Sequence, residues 1–340
     1  MKKISRGFLV LIFLIESLSA STMFPEQFDS LGPSVKQLLT EKNRVVHFID
    51  DGDFNDIPVV FVGGLGTSVR AIRLLDFLRT MRKDLGIRII SIERNGFGQT
   101  EFNSNLTISD YVQDVEEVLN HLKINKFSIF GISGGGPYAA RIAAKNGPRV
   151  ASLHMAATPA NIGSKALCET TGENSEYASL LAYPMKFFEF PKSSSIHKLE
   201  GFQDTAYDEA ARAHNVRGQS ADPTPLIHEM SLFCKDGVTD TSLLETDVYV
   251  YRGEADDLLI HESEVSWKKN YPKANVTIRS YPGEGHDVQY RHLDQILLDI
   301  AGQGPEVLIC HKGNHEMIVP SKVSQSISDG AWLGLCHWEN

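Results

Sequence analysis

The sequence has no excess of positive charge. It contains 33 lysines and arginines against 43 aspartates and glutamates, which gives a formal net charge of −10 at pH 7. Proteins that bind nucleic acids or anionic membrane surfaces attract these partners with an excess of basic side chains. The charge balance therefore argues against both partners, and it leaves the class of substrate open.

Internal repeats, low-complexity tracts and long runs of like charge are also missing. An array of repeats is therefore not indicated. The length of 340 residues suits one large α/β domain with an insertion, or two small domains. Hydrophobic residues make up 42% of the chain, which is enough for a full core.

The apolar run near the N-terminus, residues 8–15, is too short to cross a bilayer as a helix. Lys2, Lys3 and Arg6 precede it, and the residues that follow it include the small or polar Ser17, Ser19, Ala20 and Ser21. This three-part pattern is typical of a secretory signal peptide. We therefore predict that residues 1–20 are a signal peptide and that the protein is exported, either secreted or periplasmic. An N-terminal membrane anchor is the alternative, and we expect no stable membrane span in the mature chain.

Cysteine is scarce: the four residues are Cys168, Cys234, Cys310 and Cys336. An even number in an exported protein permits two disulfides, although buried free thiols remain an alternative in a large α/β domain. Cys310-His311 and Cys336-His337 suggest zinc by composition. Adjacent residues on a strand point to opposite faces, so each pair offers only one ligand easily. We expect a Cys310–Cys336 disulfide or two core thiols, and no metal.

Four carboxylates crowd the loop that begins near residue 50: Asp50, Asp51, Asp53 and Asp56. Such a cluster suggests calcium, but the glutamate that closes a calcium loop is missing. We therefore expect a solvated hairpin turn at this place.

Apolar β-rich runs alternate with segments of helical spacing along most of the chain. The predicted strands are residues 45–50, 58–62, 88–92, 127–130, 150–157, 247–252 and 275–281, and the predicted helices are 68–81, 107–122, 138–144, 263–270 and 293–300. Continuous apolar strands alternating with helices predict a mostly parallel sheet of the α/β class with helices on both faces.

The alternation breaks in two places, which sets the predicted domain organisation. Residues 21–157 and 246–302 form the α/β core, and residues 158–245 form a helical cap inserted between two strands. Within the cap, helical spacing occurs at 177–181, 208–214 and 226–234. Residues 303–340 form an appendage with strands at 306–310 and 315–319, and its role is open.

The rest of the chain is organised around Ser133. The sequence reads Gly131-Ile132-Ser133-Gly134-Gly135 between the strand at 127–130 and the helix at 138–144. A serine on such a sharp turn has a strained backbone and a hydroxyl raised above the edge of the sheet. Gly131 and Gly135 let strand and helix pass closely, because a Cβ at either place would collide. The pattern predicts a nucleophile elbow.

Three further motifs follow the order of a known family. Gly63-Gly64-Leu65-Gly66 precedes the elbow, and Gly253-Glu254-Ala255-Asp256 and Pro282-Gly283-Glu284-Gly285-His286 come after it. Over residues 42–300 the sequence resembles the α/β-hydrolase fold family, which implies a mostly parallel sheet of the eight-stranded type with helices on both faces and a helical cap insertion. The resemblance implies Ser133 as nucleophile, His286 as base and Asp256 as the acid that holds the imidazole in one tautomer. Asp257 is the alternative acid, but Asp256 has the family spacing after Gly253.

The choice of His286 among twelve histidines rests on its position in a glycine-rich loop after a strand near the C-terminus. His154, by contrast, lies inside a predicted strand.

The resemblance also implies an oxyanion hole formed by the backbone N–H groups of Leu65 and Gly134. The family commonly has His-Gly where this chain has Gly63-Gly64, so a side chain that usually buttresses the loop is missing. The turn at 93–98, Glu-Arg-Asn-Gly-Phe-Gly, resembles the family's Asp-Arg-Pro-Gly-x-Gly turn, and we expect it to be structural. The resemblance implies neither a cofactor nor a metal.

We therefore expect an exported serine hydrolase that cleaves carboxylic esters through an acyl-enzyme on Ser133. The same residues serve amidases, thioesterases, lactonases, aminopeptidases, C–C bond hydrolases and cofactor-free haloperoxidases, so the fold does not choose among them. Relatives that open epoxides or haloalkanes have an aspartate in place of the serine. A ligand-binding protein with little turnover is a further alternative, and residues 303–340 could bind a protein partner.

Overall fold

The computed structural model describes residues 32–160, 224–235, 239–257 and 264–336. The predicted signal peptide, most of the predicted cap with its helices at 177–181 and 208–214, and His337 lie outside the described residues.

Eight strands form the main sheet. They are β1 (Lys36–Leu39), β2 (Val45–Asp51), β3 (Ile57–Val62), β4 (Ile87–Ile92), β5 (Phe127–Ile132), β6 (Val150–Ala156), β7 (Asp247–Gly253) and β8 (Val276–Tyr281). Their order across the sheet is β1-β2-β4-β3-β5-β6-β7-β8. β1 and β2 are antiparallel to their neighbours, and the six other strands run parallel. The predicted mostly parallel eight-stranded sheet is confirmed.

Helices cover both faces of this sheet. The α-helices of the described residues are α1 (Arg79–Asp84), α2 (Ile108–His121), α3 (Gly136–Asn146), α4 (Thr224–Lys235), α5 (Glu264–Asn270), α6 (Val288–Arg291), α7 (Leu293–Ile300) and α8 (Val323–Ser328), of which α8 lies beside the smaller sheet described below. Successive residues of β3 enter opposite cores: Val60 belongs to the core on the side of α2 and α3, whereas Val59 belongs to the core on the side of α7 and the segment before α1. Both faces of a parallel strand are therefore buried, which explains its continuous apolar sequence.

The structure differs from the sequence prediction in the segment before α1 and at the edge of the main sheet. The predicted helix at 68–81 is a 3₁₀ helix over Val69–Leu78, which continues as α1. β1, the outermost strand, was not predicted, and its four residues leave Leu39 largely exposed. A short edge strand with exposed apolar side chains has no clear alternation from which to recognise it.

The predicted hairpin turn after β2 is wrong. β4 lies between β2 and β3, so the loop crosses over β4 and does not join neighbouring strands. Gly52 makes this crossing possible, because a Cβ there would lie 2.6 Å from the Cα of Arg88. Asp50 pairs with Arg88, with Oδ1 2.6 Å from Nε, and Asp51 pairs with Arg82. These carboxylates are therefore ion-paired to buried arginines and not solvated.

The segment that follows α7 is a second, three-stranded sheet attached to the core. Its strands are β9 (Val307–His311), β10 (Asn314–Ile318) and β11 (Trp332–Leu333), in the order β10-β9-β11. A disulfide joins Cys310 and Cys336, one of the two alternatives that the sequence left open. Two side chains of α7 fasten the sheet: Gln295 accepts the N–H of Leu308 at 2.8 Å, and Asp294 accepts that of Leu335 at 2.9 Å.

In the described part of the chain, no helix combines the length and hydropathy needed to cross a membrane. The same residues contain no group of three or more histidine, cysteine, aspartate or glutamate side chains that could hold a metal ion.

Candidate active site

Ser133 lies at the turn between β5 and α3, in the strained conformation that the motif predicts. Its φ is +48°, a left-handed value that residues with a Cβ rarely adopt. A Cβ on Gly131 would lie 2.7 Å from the Cβ of Ala139, and one on Gly135 would lie 2.3 Å from the carbonyl oxygen of Val62. The two glycines therefore let α3 pass close to β5 and let the turn rest on the end of β3.

The structure brings Ser133, His286 and Asp256 together from three separate loops. The Nε2 of His286 lies 2.8 Å from the Oγ of Ser133, and its Nδ1 lies 2.9 Å from the Oδ2 of Asp256. The imidazole is therefore placed to take the serine proton on one side, while the carboxylate fixes its tautomer on the other.

The loops that carry the histidine and the carboxylate are hydrogen-bonded to each other. The N–H of Ala255 donates to the carbonyl of Glu284 at 2.9 Å. A Cβ on Gly253 would lie 2.3 Å from that same carbonyl oxygen, so only glycine permits the approach. Asp256 is buried, whereas its neighbour Asp257 is exposed. Of the two candidate acids, Asp256 is the one that contacts His286.

The two N–H groups predicted for the oxyanion hole lie next to each other. A Cβ on Gly134 would be 2.9 Å from the backbone N of Leu65, so the backbone of Leu65 packs directly against the residue that follows Ser133. Neither N–H donates to a backbone or side-chain acceptor within the described residues. Two adjacent unused donors beside a serine hydroxyl are the arrangement that binds a developing oxyanion.

Residues 63–67, which we name the oxyanion loop, are buttressed by a side chain that the sequence analysis did not assign to the site. Arg94 follows β4 and donates through Nη1 to the carbonyl of Gly63 at 3.0 Å, and through Nη2 to that of Thr67 at 3.1 Å. The buttress missing from Gly63-Gly64 is therefore supplied from the neighbouring strand. The only sequence signal was its place in the family-like turn at 93–98.

A second contact to the oxyanion loop comes from α4, within the predicted cap. Glu229 accepts the N–H of Gly66 at 2.7 Å and pairs with Arg94, with Oε1 3.0 Å from Nε. The carboxyl and the guanidinium are both buried. Burial is the main influence on the carboxyl and raises the pKa of Glu229, while Arg94 and the Gly66 N–H act in the opposite direction.

Burial also raises the pKa of Asp287, the residue after His286, and the charge of Glu284 adds to the increase. Asp287 is therefore a weaker acid than an exposed aspartate.

His154 has a different role from His286. It is fully buried in β6, with Nε2 2.8 Å from the Oγ of Ser152 and Nδ1 2.9 Å from the hydroxyl of Tyr251. Burial lowers the pKa of His154 to about 3. The ring is therefore neutral and belongs to a buried polar network, not to the site at Ser133.

The neutral His154 predicts a stability that depends on pH. An unfolded histidine binds a proton near pH 6.5, whereas folded His154 stays neutral down to about pH 3. The unfolded state binds more protons in this window, so the free energy of unfolding should decrease by about 1.4 kcal/mol per pH unit as the pH falls below 6.5. His154→Gln removes this contribution. Urea titrations should show that the difference in free energy of unfolding between the wild type and the variant decreases from pH 6 to pH 4. A difference that stays constant over this range would contradict the assignment of a neutral His154.

Comparison with known proteins agrees with this architecture. A family model described as the alpha/beta hydrolase fold matches residues 57–293. An esterase from Thermogutta terrifontis superposes with a TM-score of 0.58 at 19% identity, covering 79% of this chain and 97% of its own. A bromoperoxidase from Bacillus anthracis superposes with a TM-score of 0.59 at 18% identity, covering 80% of this chain and 100% of its own. Epoxide hydrolase A from Mycobacterium thermoresistibile superposes with a TM-score of 0.61 at 13% identity, covering 80% of this chain and 98% of its own.

No curated protein sequence matches the chain significantly. The three structures have different activities in their names, and their low identity to this chain shows a shared fold only. The family model, by contrast, spans more than half of the chain. The protein therefore belongs to the alpha/beta hydrolase fold family.

Proposed function

We propose that the protein is a serine hydrolase that cleaves carboxylic esters. The observation that carries the proposal is the pair of distances at His286, with Nε2 2.8 Å from the Oγ of Ser133 and Nδ1 2.9 Å from the Oδ2 of Asp256. A serine hydroxyl is a weak nucleophile until a base removes its proton. The proposal is supported by an imidazole placed to act as that base, by the carboxylate at its other nitrogen and by the neighbouring N–H groups of Leu65 and Gly134.

Acylation begins when the Oγ of Ser133 attacks the ester carbonyl carbon and His286 takes the hydroxyl proton. The carbonyl oxygen becomes an oxyanion, which accepts hydrogen bonds from the N–H groups of Leu65 and Gly134. Asp256 stabilises the imidazolium without taking its proton. When the tetrahedral intermediate collapses, the bond to the alkoxy group breaks, and His286 returns the proton to the leaving alcohol.

Deacylation repeats these steps with water as the nucleophile. His286 accepts a proton from the water, and the hydroxide oxygen attacks the acyl carbon. The second tetrahedral intermediate uses the same two N–H groups. Its collapse breaks the bond to Ser133, and His286 protonates the Oγ, so the enzyme is regenerated and a carboxylic acid is released.

The serine also bears on the other chemistries found on this fold. Relatives that open epoxides have an aspartate at the nucleophile position, so Ser133 disfavours the activity named for the Mycobacterium structure. A peroxidase reaction without a cofactor remains compatible with the same three residues, but no observation at this site favours it over ester hydrolysis.

A panel of p-nitrophenyl esters of increasing acyl chain length tests the proposal. We expect turnover that depends on chain length, because an acyl group bound at Ser133 must fit the space beside the oxyanion loop. The matching p-nitroanilides distinguish an esterase from an amidase. Turnover of the anilides with none of the esters would contradict the ester assignment.

We also propose that the protein is exported through the predicted signal peptide of residues 1–20. A disulfide between Cys310 and Cys336 supports this, because such bonds persist in oxidising compartments. N-terminal sequencing of the protein recovered outside the cytoplasm tests it, and recovery only in the cytoplasm with residues 1–20 intact would contradict it.

A further inference from the structure

The carbonyl of Gly64, in the oxyanion loop, accepts hydrogen bonds from three donors. It accepts hydrogen bonds from the Nη2 of Arg94, from the Oγ1 of Thr67 at 2.7 Å and from the backbone N of Thr67 at 3.3 Å. Arg94 and Thr67 are both buried. Three donors on one carbonyl exceed what a tight turn requires, which calls for a reason beyond the turn itself.

The reason lies in the peptide unit to which this carbonyl belongs. The oxygen of Gly64 and the N–H of Leu65 are parts of one planar trans peptide, so they point in opposite directions. Fixing the carbonyl against Arg94 therefore fixes the direction of the N–H. That N–H is one of the two donors beside Ser133.

The positive charge of Arg94 has a second effect on the same peptide. A cation that hydrogen-bonds to a carbonyl polarises the amide, and in a buried setting this makes the attached N–H a stronger donor. Through this peptide unit the guanidinium would act on an oxyanion at Ser133 without touching the reacting atoms.

Glu229 keeps the guanidinium in this position. Its Oε1 lies 3.0 Å from the Nε of Arg94, and its Oε2 accepts the N–H of Gly66, one residue beyond Leu65. A buried arginine without a partner would be costly, so the carboxylate allows the charge to remain behind the loop. Leu65 is therefore bracketed by Arg94 on its N-terminal side and by Glu229 on its C-terminal side.

We propose that Arg94 is a positioning residue that orients and polarises the Leu65 N–H for the oxyanion, and that Glu229 links this device to α4. The inference rests on the proposed function, because it assumes an oxyanion at Ser133. Arg94→Met should lower kcat for a p-nitrophenyl ester by about 10²-fold, comparable to the loss of one oxyanion donor, and should change KM little. Arg94→Lys should be intermediate, because an ammonium cannot form the fork of hydrogen bonds.

Each rate is to be expressed per active site, counted by titration with a fluorophosphonate, so that a poorly folded fraction does not count as lost catalysis. The affinity of an alkyl boronic acid, which forms a tetrahedral adduct with serine, should decrease in proportion to kcat/KM. A residue that only supports the fold would lower the number of active sites and leave both quantities unchanged.

Arg88→Met is the matched control, because Arg88 is also a buried arginine paired with a carboxylate, at the opposite end of β4. The Arg88 variant should be less stable than the wild type and should have an unchanged kcat per active site.

If Arg94→Met does not fold, Thr67→Val provides the test. It removes one hydrogen-bond donor from the carbonyl of Gly64 and should still lower kcat and boronic acid affinity together. If the folded Arg94 or Thr67 variants turn over as fast per active site as the unmodified protein, the inference about Arg94 is wrong and the proposed function stands. If the unmodified protein has no activity at Ser133, both the proposed function and the inference are wrong.

Discussion

Ser133→Ala should lower kcat for ester hydrolysis by about 10⁴- to 10⁶-fold. The Ser133 hydroxyl lies 2.8 Å from the Nε2 of His286. It is the group that would form the acyl-enzyme, and alanine has no nucleophile in its place. Alanine also has a Cβ and meets the same left-handed backbone at φ +48°, so the strain at the turn persists and the melting temperature should change little. Initial rates on a short-chain p-nitrophenyl ester, with circular dichroism for the fold, measure both.

Ser128→Ala provides the matched control for this variant. Ser128 lies on β5, the strand that leads into Ser133; it is buried and hydrogen-bonds through its Oγ to Ser152 at 2.8 Å. It has no contact with His286, so its replacement should leave kcat within a factor of about two. Substantial activity in the Ser133 variant, or an equal loss in both variants, would contradict the assignment of the nucleophile.

Asp256→Asn should lower kcat by about 10⁴-fold, whereas Asp257→Asn should leave it nearly unchanged. The carboxylate of Asp256 lies 2.9 Å from the Nδ1 of His286, and an amide there can present an NH₂ group that favours the wrong tautomer. Asp257 is exposed and serves as a control of the same chemistry at the adjacent position. Kinetics of both variants on one ester give the comparison, and a greater loss in the Asp257 variant would exchange their roles.

The elbow and the order of the site residues could be predicted because their signals are local. A buried strand, a glycine-flanked serine and a helix are adjacent in sequence, and the positive φ of Ser133 follows from that geometry. The histidine and the acid were found by their place after successive strands, and parallel strands bring their carboxyl ends to one edge of the sheet. The same regularity explains why the mostly parallel sheet was predicted correctly, although its antiparallel edge strand β1 was not recognised.

What could not be predicted depends on pairing between distant residues. The loop after β2 reads as a hairpin, because nothing local reveals that β4 inserts between β2 and β3. The ion pair of Arg94 and Glu229 joins residues far apart in sequence. Taken alone, Arg94 is typical of a turn and Glu229 of a helix, so neither indicates the pair. Arg94 was therefore interpreted as structural, although it hydrogen-bonds to the peptide that carries the Leu65 N–H.

The attachment of the second sheet was beyond sequence reasoning for a related reason. Strands at 306–310 and 315–319 were predicted, and both occur within one residue of their expected bounds. Their docking depends on Asp294 and Gln295 of α7, which read in sequence as the polar face of an amphipathic helix. In the structure both side chains are buried and accept backbone N–H groups of the second sheet. Whether this sheet binds a protein partner stays a prediction.

Covalent labelling tests the central claim most directly, since it asks whether Ser133 is an activated nucleophile without requiring the natural substrate. The protein should react with a fluorophosphonate at neutral pH, and digestion followed by mass spectrometry should place a single adduct on Ser133. The Asp256→Asn and His286→Gln variants should react far more slowly, because the hydroxyl loses its base or the orientation of that base. An unmodified Ser133 in the folded wild-type protein would contradict the account and favour a protein that binds a ligand without turning it over.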